Sequence, residues 1–305
     1  MKPNFQILVV MPVYNAMPYL QLALDSILNQ TFKEFCLLSI DDGSKDGSVD
    51  FLHGINDPRL VVHTQQNSGP GAIMNNGLTF ALEKNIPYIA RMDADDISQI
   101  DRLGKQYSLL IHNPEIAACS CNCEYMDVTG KIIGSSTVPT TNSQIKWEIL
   151  HGLRGMVQGA MLIRTQALAD VGGYRKKFPL AEENDLFLRL MGKFQLSNVS
   201  DYLYKIRLHK ESMSIANFEK NYLYSRYALD CFIARKVGVP EKSFEEFCKT
   251  QNRLAKINVK REMMMLRLWQ KGMIEHSMFA QLLAALLDPI RVVARIKRKI
   301  DIIHI

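Results

Sequence analysis

Three carboxylates follow an apolar segment, and their types and spacing are suited to metal and phosphate chemistry. Residues 88–92 are apolar apart from one arginine, and Asp93, Asp95 and Asp96, which we call the acidic cluster, come directly after them. The apolar run predicts a buried strand, and open α/β sheets bind ligands beyond the ends of such strands. Clustered carboxylate oxygens suit a hard cation such as Mg²⁺ or Mn²⁺. Such a cation would hold a diphosphate and neutralise its charge as a bond breaks.

The segments before the acidic cluster alternate between strand and helix patterns. Residues 7–11, 35–40 and 60–63 are apolar runs typical of buried strands. Residues 20–28 and 73–82 carry apolar side chains on one helical face. This β-α-β-α-β-α-β order predicts a parallel sheet with helices on both faces. The loops after these strands then lie at the same edge of the sheet as the acidic cluster.

The loops at that edge contain residue types that either bind nucleotides or form turns. Residues 12–15 are expected as the loop after the first strand, Asp42 follows the second strand and Gly69 follows the third. Asp42 can accept a hydrogen bond from a base or ribose, and Gly69 lets the backbone approach a ligand closely. Turn formation alone would favour the same residue types, but their concentration at one edge favours a nucleotide site. No Walker loop and no G-x-G-x-x-G follows the first strand, which disfavours P-loop and dinucleotide-binding folds.

Beyond the acidic cluster the pattern is mixed. Cys119, Cys121 and Cys123 alternate with period two, so a strand would place them on one face, spread over roughly 13 Å at about 3.3 Å per residue. We therefore expect buried thiols here and no metal cluster. The other predicted elements are a helix over 101–112, a strand ending at 125, a hairpin turn at 127–130, a helix over 143–150 capped by Ser143, and strands over 158–164 and 202–208.

A second acidic group precedes a helical pattern later in the chain. Glu182, Glu183 and Asp185 come at the start of a segment with an apolar helical face. Acids are favoured at helix N-termini by the helix dipole, so ordinary capping is one explanation. The functional alternative is a carboxylate held at the sheet edge as a general base. His209 follows the strand predicted over 202–208 and is either structural or a ligand.

Composition fits a large globular domain with an appendage. The chain has 305 residues, of which 47% are apolar and 22% charged, with a net charge of +6. These values argue against wholesale disorder. No run of 18 apolar residues predicts a membrane span, residues 1–4 do not resemble a signal peptide, and reduced thiols fit the cytoplasm. Beyond residue 216 we expect helices over 222–237, 242–269 and 275–298.

The last of these helices is basic. Residues 288–305 contain five Lys and Arg side chains against two Asp, and apolar residues from 279 onward share one helical face. A basic amphipathic helix is typical of attachment to an anionic membrane surface. The alternative is a helix that packs on its own domain or in a homodimer, with a solvated charged face. No feature predicts a nucleic-acid partner.

Six segments, taken in order, resemble glycosyltransferase family 2. The resemblance covers about residues 5–215 and is carried by residues 9–15, 26–32, 41–48, 92–96, 101–103 and 171–174. It implies an α/β protein of GT-A fold, with a Rossmann-like, mostly parallel sheet, a smaller mixed sheet on the acceptor side and a helical C-terminal extension. The implied division is 1–215 for the GT-A domain, with a nucleotide-binding half (1–97) and an acceptor-binding half (98–215), and 216–305 for the extension.

The resemblance also implies a reaction and a site. The reaction is inverting transfer from a nucleotide sugar, by default a UDP-hexose or UDP-N-acetylhexosamine, to a bacterial surface glycan or lipid-linked glycan, with Mn²⁺ or Mg²⁺. Asp95 would be the direct metal ligand, His209 would complete the metal shell, and Glu183 would be the base with Asp185 in reserve. The implied donor-binding residues are Pro12, Val13, Tyr14, Asn15, Asp42, Gly69, Asn75, Asp93 and Ala94.

Two positions depart from the family pattern. Glu183 stands where the family carries Asp, and Met74 stands where it often carries Arg. These departures keep open a nucleotide-binding module without transfer activity. A metal-dependent nucleotidyltransferase on a similar sheet is a third hypothesis, and it would release pyrophosphate in place of a nucleoside diphosphate.

Overall fold

The structure, a computed structural model, describes residues 5–209 and 217–250, together with the single positions 261, 264 and 268. In its N-terminal half four strands pair in parallel in the order β3-β2-β1-β4. This confirms the parallel sheet expected from the strand-helix alternation. The strands are β1 (Ile7–Val13), β2 (Phe35–Asp41), β3 (Leu60–Thr64) and β4 (Tyr88–Arg91), and the helices between them are α1 (Leu20–Leu28), α2 (Ser48–His53) and α3 (Pro70–Lys84).

The first strand is longer than expected. Pro12 and Val13, predicted as loop residues, continue β1 and lie opposite Ile40 and Asp41 of β2. Pairing with β4 ends at Val10, so Pro12 lies where β1 has a strand on one side only. A proline is tolerated at such a position because no second neighbour needs its missing N–H.

The second half of the sheet is mixed. Strand β8 runs antiparallel to both β4 and β6, and so joins the parallel part to the acceptor-side part. Across the described residues nine strands form one sheet, in which β6 and β9 are parallel and β7 pairs with β6. The added strands are β5 (Ile97–Ser98), β6 (Ile116–Met126), β7 (Ile132–Ser136), β8 (Leu162–Arg164) and β9 (Gln195–Arg207).

Local predictions in this half of the chain were also wrong, and one of them is the strand expected over 202–208, which begins at Gln195. Residues 158–160 form a 3₁₀ turn, so the strand expected from 158 begins at Leu162. The turn brings Gly159 so close to Asp93 that a Cβ there would lie 2.7 Å from a carboxylate oxygen. The helix expected to be capped by Ser143 begins one residue earlier, with Thr141 at its N-cap. The hairpin turn at 127–130 is confirmed by a hydrogen bond from Gly130 N to Asp127 O.

The remaining helices cover the sheet. Buried residues of α7 and α8, including Leu186, Leu190 and Tyr227, share a core cluster with Leu8 and Val10 of β1. The start of the predicted C-terminal extension therefore packs on the same core as the sheet. These helices are α4 (Arg102–His112), α5 (Asn142–Leu150), α6 (Thr165–Asp170), α7 (Glu182–Lys193), α8 (Phe218–Val237) and α9 (Phe244–Thr250).

Much of the predicted C-terminal extension lies outside the described residues. This applies to the basic helix expected over 275–298 and to most of the helix expected over 242–269. Each helix that the structure does describe is too short or too polar to cross a bilayer.

The cysteines of β6 behave as predicted. Cys119, Cys121 and Cys123 are fully buried on the same face of the sheet and carry no disulfide. Burial raises the pKa of Cys121 to about 12, so its thiol stays protonated at neutral pH.

Close packing between β1 and α3 gives a first testable prediction. A Cβ added at Gly77 would lie 2.5 Å from Cγ2 of the buried Val10. We expect Gly77→Ala to lower the free energy of unfolding by about 1–3 kcal/mol, as overpacked core substitutions do, measured by urea denaturation.

The matched control is Gly104→Ala on α4. Its added Cβ would meet only Phe32 Cβ at 3.8 Å, an ordinary contact. Better helix propensity should then leave that variant equal to or up to about 1 kcal/mol more stable than the native chain. Equal stability of the Gly77 variant and the native chain would contradict the packing described.

Candidate active site

The loop after β1 is tied to the loop after β2 by short polar contacts. The N–H of Asn15 donates to Ser44 Oγ at 2.9 Å, and the N–H of Lys45 donates to Asn15 Oδ1 at 2.8 Å. Asn15 adopts a positive φ of 48° to make this turn, a conformation that asparagine tolerates better than most residues. Tyr14 is left 57% exposed at the edge of the sheet. These bonds join the loop after β1 to the loop after β2, and the Tyr14 ring is exposed beside them.

Asp42 links β2 to the turn before α3. Its Oδ1 accepts from Gln65 Nε2 at 2.7 Å and from Ser68 N at 2.9 Å, and its Oδ2 accepts from Gly69 N at 2.8 Å. Gly69 has a φ of +83°, and open space surrounds the position of an added Cβ. Asp42 is buried, and its Oδ2 accepts one of the two hydrogen bonds that a carboxylate oxygen can accept.

Two other residues of α3, Asn75 and Met74, make contacts inside the protein. Asn75 donates from Nδ2 to Tyr174 O and accepts from Tyr174 N, both at 2.8 Å, so its amide clamps the chain near residue 174. Met74 is fully buried in the core. The Asn75 amide is therefore bonded within the protein, its predicted role in donor binding stays a prediction, and the Met74 side chain lies in the core.

The acidic cluster lies at the end of β4, with β9 beside it. His209 Nε2 lies 2.9 Å from Asp95 Oδ2, which brings together the two residues predicted as metal ligands. The N–H of Asp93 donates to the Tyr204 hydroxyl at 3.1 Å. Asp95 remains about one third exposed, so a ligand can reach it. Ala94, predicted on the donor side, is buried between these residues.

Asp96 anchors the cluster and does not face solvent. It is buried and accepts from Arg207 N at 2.8 Å. Burial, together with the negative charges of Asp95 and Asp93, raises its pKa well above the ordinary value. The Arg207 side chain donates from Nε to Asp95 O at 3.0 Å. These contacts hold the end of β9, and hence His209, against the cluster.

The Asp95 carboxylate suits Mn²⁺ or Mg²⁺, whereas the His209 imidazole nitrogen would bind Mn²⁺ more readily than Mg²⁺, which prefers oxygen ligands. Over the described residues no group of three or more His, Cys, Asp or Glu side chains is arranged to hold a metal. A cation at this pair would therefore take its other ligands from a diphosphate and from water. That arrangement is usual for Mg²⁺ at phosphate sites.

The first turn of α7 carries the second acidic group. Glu182 is buried, and its Oε1 accepts from Gln158 Nε2 at 3.1 Å. Glu183 is the most exposed of the three acids. Burial, followed by the charge of Glu182, raises the pKa of Glu183 to about 7. Ala181, just before the helix, has a positive φ of 52°, which is strained for alanine.

Asp185 is enclosed. Its side chain is fully buried, and it accepts from Arg175 Nε at 2.9 Å and Arg189 Nε at 2.8 Å. An acceptor hydroxyl cannot reach this carboxylate without breaking those pairs. The reserve assignment of Asp185 as the base therefore has no support in the geometry, and Glu183 is the better candidate.

Arg91 connects the two acidic groups and was missed in the sequence. Its Nε donates to Asp93 Oδ1 at 2.7 Å, and its Nη1 lies 3.5 Å from Glu182 Oε1. The guanidinium is buried, and burial alone would lower its pKa, but Asp93 and Glu182 hold that pKa well above the usual value. The available signal was an arginine inside an otherwise apolar strand, since a buried charge needs a partner.

Comparison with known proteins settles the family. The family model described as "Glycosyl transferase family 2" matches residues 8–172, more than half of the chain. The chain belongs to glycosyltransferase family 2. It is 29% identical over 227 residues to the putative glycosyltransferase EpsH of Bacillus subtilis, a match that covers 71% of this chain and 64% of EpsH. An uncharacterized glycosyltransferase of Haemophilus influenzae is 35% identical over 142 residues, covering 46% and 54%. The chain thus spans less than two thirds of the length of these two relatives.

Solved structures of glycosyltransferases share the fold. S. aureus TarS 1-349 in complex with UDP-GlcNAc superposes with a TM-score of 0.58 at 16% identity, covering 87% of this chain and 81% of that one. The mannosyltransferase PcManGT from Pyrobaculum calidifontis, in complex with GDP-Man and Mn²⁺, gives 0.55 at 14% identity, covering 97% and 80%. The predicted GT-A fold is confirmed.

The pairing of Asp95 with His209 gives the second prediction. Asp95→Asn should keep the fold, because the residue is partly exposed in a turn, and should weaken Mn²⁺ binding in the presence of UDP by at least tenfold. Electron paramagnetic resonance of free Mn²⁺ measures this directly.

Asp25→Asn is the control, since Asp25 is an exposed acid on α1. It should bind Mn²⁺ as the native chain does. If Asp95→Asn bound Mn²⁺ as tightly as the native chain does, Asp95 would not be a metal ligand.

Proposed function

We propose that this protein is an inverting glycosyltransferase. It moves a sugar from a nucleoside diphosphate donor, of the UDP-hexose or UDP-N-acetylhexosamine class, to a hydroxyl of a surface-glycan or lipid-linked glycan acceptor. The observation that carries the proposal is the Arg91 bridge, in which one guanidinium contacts both Asp93 of the acidic cluster and Glu182, the neighbour of Glu183. The UDP-GlcNAc and the GDP-Man with Mn²⁺ in the titles of the two similar structures support the donor class.

The donor would lie along the edge formed by the loops after β1, β2 and β3. The exposed Tyr14 ring offers a stacking surface to the base, and the free capacity of Asp42 Oδ2 offers a hydrogen-bond acceptor. Asn15 holds the loop after β1 against the loop after β2. The open space at Gly69, at the start of the 15-residue helix α3, lets a donor group approach the backbone closely.

Asp95 and His209 would hold Mn²⁺ or Mg²⁺. When bound there, the cation supplies positive charge that stabilises the departing nucleoside diphosphate. Asp93, held by Arg91, lies beside this pair and is available to the ribose or to a metal-bound water.

Glu183 acts on the acceptor. The acceptor oxygen forms its bond to the anomeric carbon as the bond from that carbon to the diphosphate oxygen breaks, and the hydroxyl proton passes to the Glu183 carboxylate. A base of pKa about 7 is well matched to this step near neutral pH. One displacement of this kind inverts the anomeric centre.

The proposal also includes the location of the enzyme in the cell. We place it in the cytoplasm, with the basic helix expected over 275–298 at the inner face of the membrane, where lipid-linked acceptors are accessible. Division into a GT-A domain (1–215) and a helical extension (216–305) remains part of this proposal.

A thermal-shift screen of nucleotide sugars, with and without Mn²⁺, identifies the donor, since a ligand at 100 times its Kd stabilises by about 2.7 kcal/mol. With that donor, kcat/KM of the native enzyme should fall about tenfold per pH unit below pH 7, because Glu183 must be deprotonated to accept the proton. Glu183→Gln should lower kcat by about 10²–10⁴-fold, leave donor affinity unchanged and remove this dependence on pH.

Glu183→Asp is the matched control, because it keeps the carboxylate and restores the residue type usual in the family. It should recover activity and also the fall of kcat/KM below pH 7. Native turnover in the Gln variant would contradict the assignment of Glu183, and released pyrophosphate would contradict sugar transfer.

A further inference from the structure

We propose that Glu241, in the loop between α8 and α9, is a positioning residue for the catalytic base and acts through Arg175 and Asp185. The inference rests on the proposed function, because it takes Glu183 as the base. It makes the C-terminal helices part of the catalytic apparatus of this chain.

The first link is Asp185. It lies two residues after Glu183 in the same first turn of α7, and its buried carboxylate is held by Arg175 on one side and Arg189 on the other. Because a buried carboxylate tolerates little displacement from its partners, the position of Arg175 fixes the position of this turn. Glu183 moves with the turn that carries it.

The second link is Arg175. Its Nη1 donates to Glu241 Oε2 at 2.8 Å and to Oε1 at 3.0 Å, while its Nε and Nη2 bond Asp185. One planar guanidinium therefore spans two carboxylates, a geometry that lysine cannot reproduce. Arg175 belongs to the segment that enters α7 through the strained Ala181, and strain of this kind persists only where the surroundings enforce it.

The third link is Glu241. It accepts from Arg175, from Lys177 and from Arg235 of α8, and its side chain is only 16% exposed. Partial burial opposes ionisation, but Lys177, Arg175 and Arg235 lower the pKa of Glu241 to about 2. The carboxylate is therefore charged throughout the working pH range, and the ion pairs persist there.

The ion pairs around Glu241 orient the first turn of α7, whereas other contacts already hold α7 and α8 together. Tyr227 of α8 is buried against Phe178, with ring centroids 5.1 Å apart, and Asn184 of α7 donates to Ser225 of α8 at 2.7 Å. Loss of the Glu241 charge should leave these contacts in place. The variant is therefore expected to fold, with its defect confined to the orientation of the first turn of α7.

The test is a double-mutant cycle on the full-length chain, with the nucleotide sugar selected by the thermal-shift screen and released nucleoside diphosphate as the readout. Glu241→Gln should lower kcat by about tenfold and change the donor KM by less than twofold. In the Glu183→Gln background the same substitution should have no further effect, because the group it positions is absent. Glu241→Asp should recover part of the loss.

Glu245→Gln is the control, since Glu245 is a 79% exposed acid on α9 paired with Lys249, and it should leave kcat unchanged. Native kcat in Glu241→Gln, or an equal loss in both backgrounds, would overturn the inference. If Glu241→Gln does not fold, Arg175→Lys gives the same comparison, because lysine keeps the charge but cannot span both carboxylates. Native turnover in Glu183→Gln alone would instead mark failure of the proposed base.

Discussion

The site depends on one buried ion-pair bridge. Arg91 lies inside the sheet on β4 and reaches Asp93 on one side and Glu182, on a helix that begins 91 residues later, on the other. A buried guanidinium without partners would cost several kcal/mol, and two carboxylates brought together without it would repel each other. The bridge removes both costs and holds two carboxylate groups from distant parts of the chain at a fixed separation.

The site therefore has two sides that carry different chemical groups. On the proposed donor side, Asp95 and His209 are bonded to each other, and the Asp95 side chain is about one third exposed. On the proposed acceptor side, Glu183 sits beside Glu182, and burial followed by the charge of Glu182 raises the pKa of Glu183 to about 7. Raising the pKa of a base brings it close to the working pH, where proton acceptance is most effective. The same bridge therefore ties the acidic cluster to the first turn of α7, which are the two parts of the proposed site.

Sequence patterns predicted the parts of this structure that depend on local order. The four parallel strands follow from apolar runs and strand-helix alternation, and motif order predicted that Asp95 and His209 belong together although 114 residues separate them. Patterns could not show which polar groups would be satisfied by distant partners. The pairing of Asp185 with Arg175 and the bonds from the Ser68 and Gly69 backbone to Asp42 depend on how loops approach each other in three dimensions. The short 3₁₀ turn at 158–160 was missed because close packing of Gly159 on Asp93 overrides a strand-like sequence.

In the proposed reaction, Glu183 is the single base of one direct displacement, at a site where Arg91 ties the acidic cluster to the first turn of α7. The stereochemistry of the product tests this most directly. With an α-linked nucleotide sugar as donor, the account predicts a product that is β-linked when first formed, identified by the coupling constant of its anomeric proton in ¹H NMR. A product that retains the α configuration would contradict it, because retention requires a different mechanism from the single displacement that Glu183 supports.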